Sequence, residues 1–290
     1  MLTALDLLGF AEDSDRNTMQ RLCALRHLAP LRRSLDEDHR NRVLSTPAAR
    51  APLGDVWTAL AEQLSAHVAQ PSLGENLKPA ATFGDARLRQ VIAEIAGLFN
   101  TDADVFVGEK VPGLAAATAF PRRLVVIDRT LLDEHELALR FLFGYAFEAI
   151  RGGYAALLQL GARSRHQLAQ LLRDLVAGDA EPNGFAAELI HGASPRALKM
   201  IERHAGAKDL DAGAWIDGML ACAKRAGLVA CDDFAAAVWM VARLSGERPA
   251  GHDETVALGA VLGGPDLVRF YLSDDYQLLR DALTMPVPRN

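Results

Sequence analysis

Cysteine is scarce. Cys23, Cys222 and Cys231 are the only three in 290 residues, and no two form a C-x-x-C pair. An odd, scattered set of this kind argues against a disulfide framework or a thiolate-bound metal finger; it reads as free, buried thiols in a reducing compartment. A basic tract is also missing. Thirty-one Lys and Arg stand against 37 Asp and Glu, for a net charge of −6. Without a basic footprint no nucleic-acid partner is expected, and the mild acidity mainly favours solubility.

Catalytic signatures are equally sparse. The eight histidines are His27, His39, His67, His135, His166, His191, His204 and His252, and no two are three or four residues apart. None therefore offers a pair of ligands from one helix face. His135-Glu136 begins an H-E-x-x string, but Leu139 and Arg140 follow where a second histidine is needed. No G-x-S-x-G motif supports a serine nucleophile. Gly144, Gly152-Gly153 and Gly263-Gly264 fit no phosphate-loop spacing, so packing or capping explains them better.

What is present is a large apolar complement. Half the residues are hydrophobic and 23% are charged, enough to bury a sizeable core in one large domain or two small ones. The longest strongly apolar stretch is Leu137–Leu160, near the middle of the chain. It carries Arg140, Glu148 and Arg151, so it reads as a buried helix of a soluble protein, with no membrane insertion. The opening residues M-L-T-A-L-D-L-L-G-F-A-E-D-S-D lack a basic segment, so no secretory signal is expected and the expected localisation is cytoplasmic.

Apolar spacing predicts helices over Asn17–Leu35 and Leu53–Gln70, with a charge-dense connector at Leu31–Arg42. Residues 1–70 thus form an N-terminal helical region, and Pro71–Pro79 reads as a linker. Asp85–Phe99 is an amphipathic helix with Leu88, Val91, Ile92, Ile95, Leu98 and Phe99 on its apolar side. Val105–Val107, Ala115–Phe120 and Leu124–Asp128 read as strands of a small antiparallel sheet. Further helices are expected at Ser164–Val176, Pro195–His204, Ala214–Ala226, Cys231–Leu244, Asp253–Leu262 and Pro265–Leu272, with a Pro-rich tail at Met285–Asn290. The fold class is α+β, predominantly α-helical.

Residues 117–133, A-T-A-F-P-R-R-L-V-V-I-D-R-T-L-L-D, followed by Glu136-Leu137, carry a resemblance. Over residues 71–245, about six-tenths of the chain, the sequence resembles the HtpX-like and CAAX-prenyl-endopeptidase-like zinc metallopeptidases, members of the gluzincins. In that family a strand and a Leu-Leu-Asp segment precede a helix bearing H-E-x-x-H. The resemblance implies a metallopeptidase-like helical core for residues 71–290. Aligning Ile150-Arg151-Gly152-Gly153-Tyr154 with the family's I-x-x-G-H places H-E-x-x-H on Tyr145-Ala146-Phe147-Glu148-Ala149. The zinc histidines correspond to Tyr145 and Ala149, and the general base to Ala146. The third ligand, a glutamate on a later helix, corresponds to Leu228, with Cys231-Asp232 retained beyond it.

H-E-x-x-H works because side chains four apart reach one zinc, whose bound water the glutamate deprotonates. Alanine and leucine offer no donor atom and a neutral tyrosine is a poor ligand, so the chain does not fit zinc at these positions. Neither a metal nor another cofactor is expected, and the resemblance implies a pseudo-enzyme. Tyr145 reads as a core residue with a bonded hydroxyl, and Asp232 as the cap of a helix starting near Cys231 or Phe234. Such peptidases bind extended peptides along a sheet edge, which makes Leu124, Val125, Val126, Ile127 and Asp128, or their neighbours, the expected docking edge for a protein partner. The expectation is a protein-binding or assembly scaffold. The alternatives are a hydrolase with a relocated metal site and a purely structural helical subunit.

Overall fold

A computed structural model describes residues 12–15, 17–18, 21, 31, 33–50, 52–67, 73–177, 184–205, 210–245 and 264–284. The expected helix at Asp253–Leu262, the tail at Met285–Asn290, Cys23 and most of Asn17–Leu35 lie outside the described residues. The fold is α+β and mainly helical, with one four-stranded sheet. Among the described residues, no helix is long and apolar enough to cross a membrane.

The elements in chain order are α1 (Leu53–His67), β1 (Glu75–Pro79), α2 (Ala86–Phe99), β2 (Asp104–Glu109), β3 (Ala115–Thr118), β4 (Leu124–Asp128), α3 (Glu136–Arg151), α4 (Ala162–Ala177), α5 (Phe185–Gly192), α6 (Pro195–His204), α7 (Ala212–Cys231), α8 (Phe234–Leu244), α9 (Gly264–Tyr271) and α10 (Asp274–Thr284). Local chemistry accounts for several boundaries. Asp85 caps α2 by accepting from the Leu88 N–H at 3.0 Å, and Asn100 ends the helix in the left-handed region. Leu88, Val91, Ile95, Leu98 and Phe99 then form the buried stripe that the spacing predicts, and Ile92 is only partly covered.

The sheet order is β1-β2-β4-β3. β1 and β2 are antiparallel, as are β3 and β4, but β2 and β4 run parallel. The expected all-antiparallel sheet is therefore corrected to a mixed one. β2, β3 and β4 alternate in direction, and β4 inserts between the other two instead of adding outside β3. That insertion also overturns the expected docking edge. Leu124, Val125, Val126, Ile127 and Asp128 are β4, which has a strand on each side; the edges belong to β1 and β3. Asp128 has a structural task. Its carboxylate accepts from Val111 N at 2.9 Å and from Thr130 N and Oγ1 at 3.0 and 2.7 Å, tying the end of β4 to the β2–β3 connection. Burial alone would raise its pKa, but these hydrogen bonds bring it below the usual carboxylate value.

The central apolar stretch does not form one helix to Leu160. Its helix, α3, ends at Arg151 and the chain turns through Gly153, whose φ of 70° suits glycine. Tyr154 N then donates to Ala149 O at 2.9 Å, and a short 3-10 turn covers Ala155–Gln159. α3 packs along α7 at very close range. A Cβ on Gly144 would lie 2.6 Å from Ala230 Cβ, and one on Gly227 would lie 2.8 Å from the Phe141 ring. Only small residues permit this approach.

Leu35, Leu44, Leu53, Trp57, Leu60 and Leu64 belong to the same buried cluster as Phe143 and Phe147 of α3 and Trp215 and Leu228 of α7. A boundary at residue 70 therefore does not separate two cores among the described residues.

Candidate functional site

A cleft of about 1120 Å³ opens between β3, α3 and α7. β3 contributes Ala115, Ala116 and Ala117, α3 contributes Leu142, Tyr145 and Ala146, and α7 contributes Asp217, Leu220, Ala221 and Lys224. The turn after α3 and the start of α4 close another side with Gln159, Leu160 and Arg165. The scale is that of a ligand pocket.

The five positions singled out by the resemblance are divided. Tyr145 and Ala146 line the cleft. Ala149 and Leu228 are fully buried and do not reach it. Leu228 lies one turn beyond Lys224 on α7, where Gly144 meets Ala226, Gly227 and Ala230. Asp232 is away from the cleft. It is the left-handed residue ending α7, with φ 51°, and its carboxylate accepts from Tyr276 Oη at 2.6 Å and Arg280 Nη2 at 3.0 Å. The N-cap of the next helix, α8, is instead Asp233, which accepts from Ala236 N at 2.7 Å. Asp232 thus holds α10 against the end of α7 rather than starting a helix. Among the described residues, no group of three His, Cys, Asp or Glu side chains could hold a metal ion. The side chains at Tyr145, Ala146, Ala149 and Leu228 do not fit zinc, since three offer no donor atom and a neutral phenol is a poor ligand.

The cleft's polar groups were not singled out by sequence. Lys224 is a partly buried amine whose pKa is lowered to about 8, first by burial and then by the Arg165 guanidinium; Asp217 and Asp266 act in the opposite sense. Asp266 is gripped by Arg225, whose Nη2 and Nε donate at 2.6 and 2.9 Å. Arg165 donates from Nε to Leu160 O at 2.9 Å. Burial pushes the Tyr145 phenol up to about 12, with Arg165 opposing. The helix α7 carries Lys224 to a point near Arg165 at the start of α4, 59 positions away in sequence, so no spacing rule could have paired them.

A second polar cluster is built around Glu148, and one of its members, Thr46, also lines the cleft. Glu148 is 1% exposed, and Arg40 Nε donates to its Oε1 at 2.6 Å. Burial raises the Glu148 pKa against the pull of Arg40 and Arg151, while the same pairing holds Arg40 protonated. Among the described residues, neither the buried Tyr154 hydroxyl nor the buried Glu148 Oε2 has a hydrogen-bond partner. Thr46 N donates to Cys222 Sγ at 3.4 Å beside them, and burial pushes that thiol's pKa up. The role is structural: the cluster joins the N-terminal segment to α3.

β3 supplies the remaining feature. Along an antiparallel strand the N–H and C=O of alternate residues face opposite sides. The Ala115 carbonyl accepts from Gln159 Nε2 at 3.3 Å, on the side away from β4. By alternation, Ala117 turns its N–H and C=O to that same side, which is the cleft. The β3 edge is partly covered by the protein's own chain: Gln159 occupies the Ala115 carbonyl, and Ala116 and Ala117 are buried. No protein-family model matches the sequence, and neither a curated protein nor a solved structure matches it.

Proposed function

We propose that this chain is a catalytically inactive relative of the gluzincin metallopeptidases that serves as a protein-binding scaffold, holding an extended partner segment by strand addition to β3. One observation carries the reading: the β3 edge at Ala115–Ala117 lines the same cleft as Tyr145 and Ala146, the positions corresponding to the first zinc histidine and the general base. The geometry resembles a substrate groove with its chemistry removed. Tyrosine and alanine at these positions remove metal donors while leaving the groove walls packed, and the strand edge offers main-chain hydrogen bonds to any extended sequence.

Random peptides displayed on a surface and selected against the purified chain test this. Ala117→Pro removes the outward N–H and leaves the ladder to β4 intact. The selected peptides are expected to bind this variant about tenfold more weakly, with folding preserved. Equal binding to both forms would remove strand addition from the account.

A further inference from the structure

We propose that the core binds a water molecule between the Glu148 carboxylate and the Tyr154 hydroxyl, completing the join between the N-terminal segment and α3. Two orphaned atoms carry the inference. Glu148 is 1% exposed, and Arg40 Nε engages its Oε1 at 2.6 Å. Tyr154 is fully buried. Among the described residues, neither Glu148 Oε2 nor Tyr154 Oη makes a hydrogen bond, so the two are not bonded to each other directly.

Both side chains meet the same guanidinium. A Cβ on Gly152 would stand 2.4 Å from Tyr154 Cε1 and 2.8 Å from Arg40 Nη2, which places the phenol ring and the guanidinium against one point. Gly152 has helical angles open to any residue, φ −76° and ψ −2°, so the packing uses its small size and not its freedom. The chemistry of the pair is complementary. An ionised carboxylate only accepts, and a phenol hydroxyl donates once. Burial raises the Tyr154 pKa well above its ordinary value, and Glu148 acts in the same direction, so the hydroxyl keeps its proton. A bridging water donates to Glu148 Oε2 and accepts from Tyr154 Oη, and the Arg40 guanidinium is a further polar group beside it. Without a bridge, both oxygens would be stripped of solvent with nothing in return. The sign of the hydroxyl's contribution follows: bridged by water it stabilises the fold, and left alone it weakens it.

The test uses the full chain and Tyr154→Phe, which deletes the hydroxyl and keeps the ring. In urea unfolding at about pH 7, the variant is expected to lower the folding equilibrium constant about tenfold. The same substitution in a chain carrying Arg40→Met and Glu148→Met should cost nothing, because the water has lost its carboxylate. A high-resolution crystal structure of the original chain should show a water within hydrogen-bond distance of both Glu148 Oε2 and Tyr154 Oη, and it decides the question even if the variants fail to fold. A Tyr154→Phe chain as stable as the original or more so would overturn the inference. So would an equal loss in the methionine background, or a crystal structure in which the two oxygens bond directly, meet another side chain or face a dry gap.

Discussion

Truncating Arg40 to alanine is expected to destabilise the fold by about 3–5 kcal/mol, the usual effect of leaving one member of a buried ion pair alone. Its partner, Glu148, is 1% exposed at the middle of the core, and the Arg40 Nε donates to it at 2.6 Å. Among the described residues nothing else hydrogen-bonds to that carboxylate, and Oε2 has no partner there. Loss of Arg40 would force Glu148 to take a proton, and its raised pKa makes this easier as the pH falls. The penalty should therefore shrink in acid. Replacing both residues by methionine should bring stability back to within about 1 kcal/mol of the starting chain, because apolar substitutes avoid desolvating two charges. Urea unfolding of the single and double variants at neutral and acidic pH measures this. A single variant that loses less than about 1 kcal/mol would show that the pair does not hold the N-terminal segment to α3.

Lys224→Met should have a large effect of the opposite sign. The folded-state pKa of about 8 lies below the ordinary 10.5, so between these values the unfolded chain binds more protons than the folded one. Stability contributed by this residue therefore rises with pH across that window, and below it the buried ammonium is a constant liability. A shift of this size corresponds to about 3 kcal/mol, and partial contact with solvent reduces the expectation to about 2 kcal/mol. At about pH 7 the methionine variant should be more stable by that amount, and the difference should close by about pH 10.5. A variant less stable than the original at neutral pH would mean that the amine is well solvated or firmly paired.

Much of the architecture was legible because it follows local rules. The run L-V-V-I-D is the buried strand β4, Asp85 caps α2, and Pro195–His204 is a helix with the predicted limits, with Ser194 as its cap. Other elements hid for identifiable reasons. β1 is exposed along its whole length and contains Pro79, so it carries no alternation and reads as linker. α10, D-D-Y-Q-L-L-R-D-A-L-T, is mostly polar and owes its place to Tyr276 and Arg280 gripping Asp232. The length of α3 was overstated because the apolar composition continues past the Gly152-Gly153 stop.

The candidate site was half legible. The resemblance led to Tyr145 and Ala146, and both line the cleft. It also led to β4 as the docking edge, because hairpin signals give strand direction but not the order in which strands insert. Lys224 and Arg165 were invisible to sequence reasoning: each is an ordinary helix cation until the packing of α4 and α7 brings them to one cleft.

Metal analysis of the chain purified without chelators, together with peptidase assays before and after chelation, tests the central claim most directly. Under the proposed pseudo-enzyme reading, the preparation is expected to hold no stoichiometric zinc and to show no chelator-sensitive cleavage. Stoichiometric zinc, or cleavage lost on chelation and restored by zinc, would contradict it.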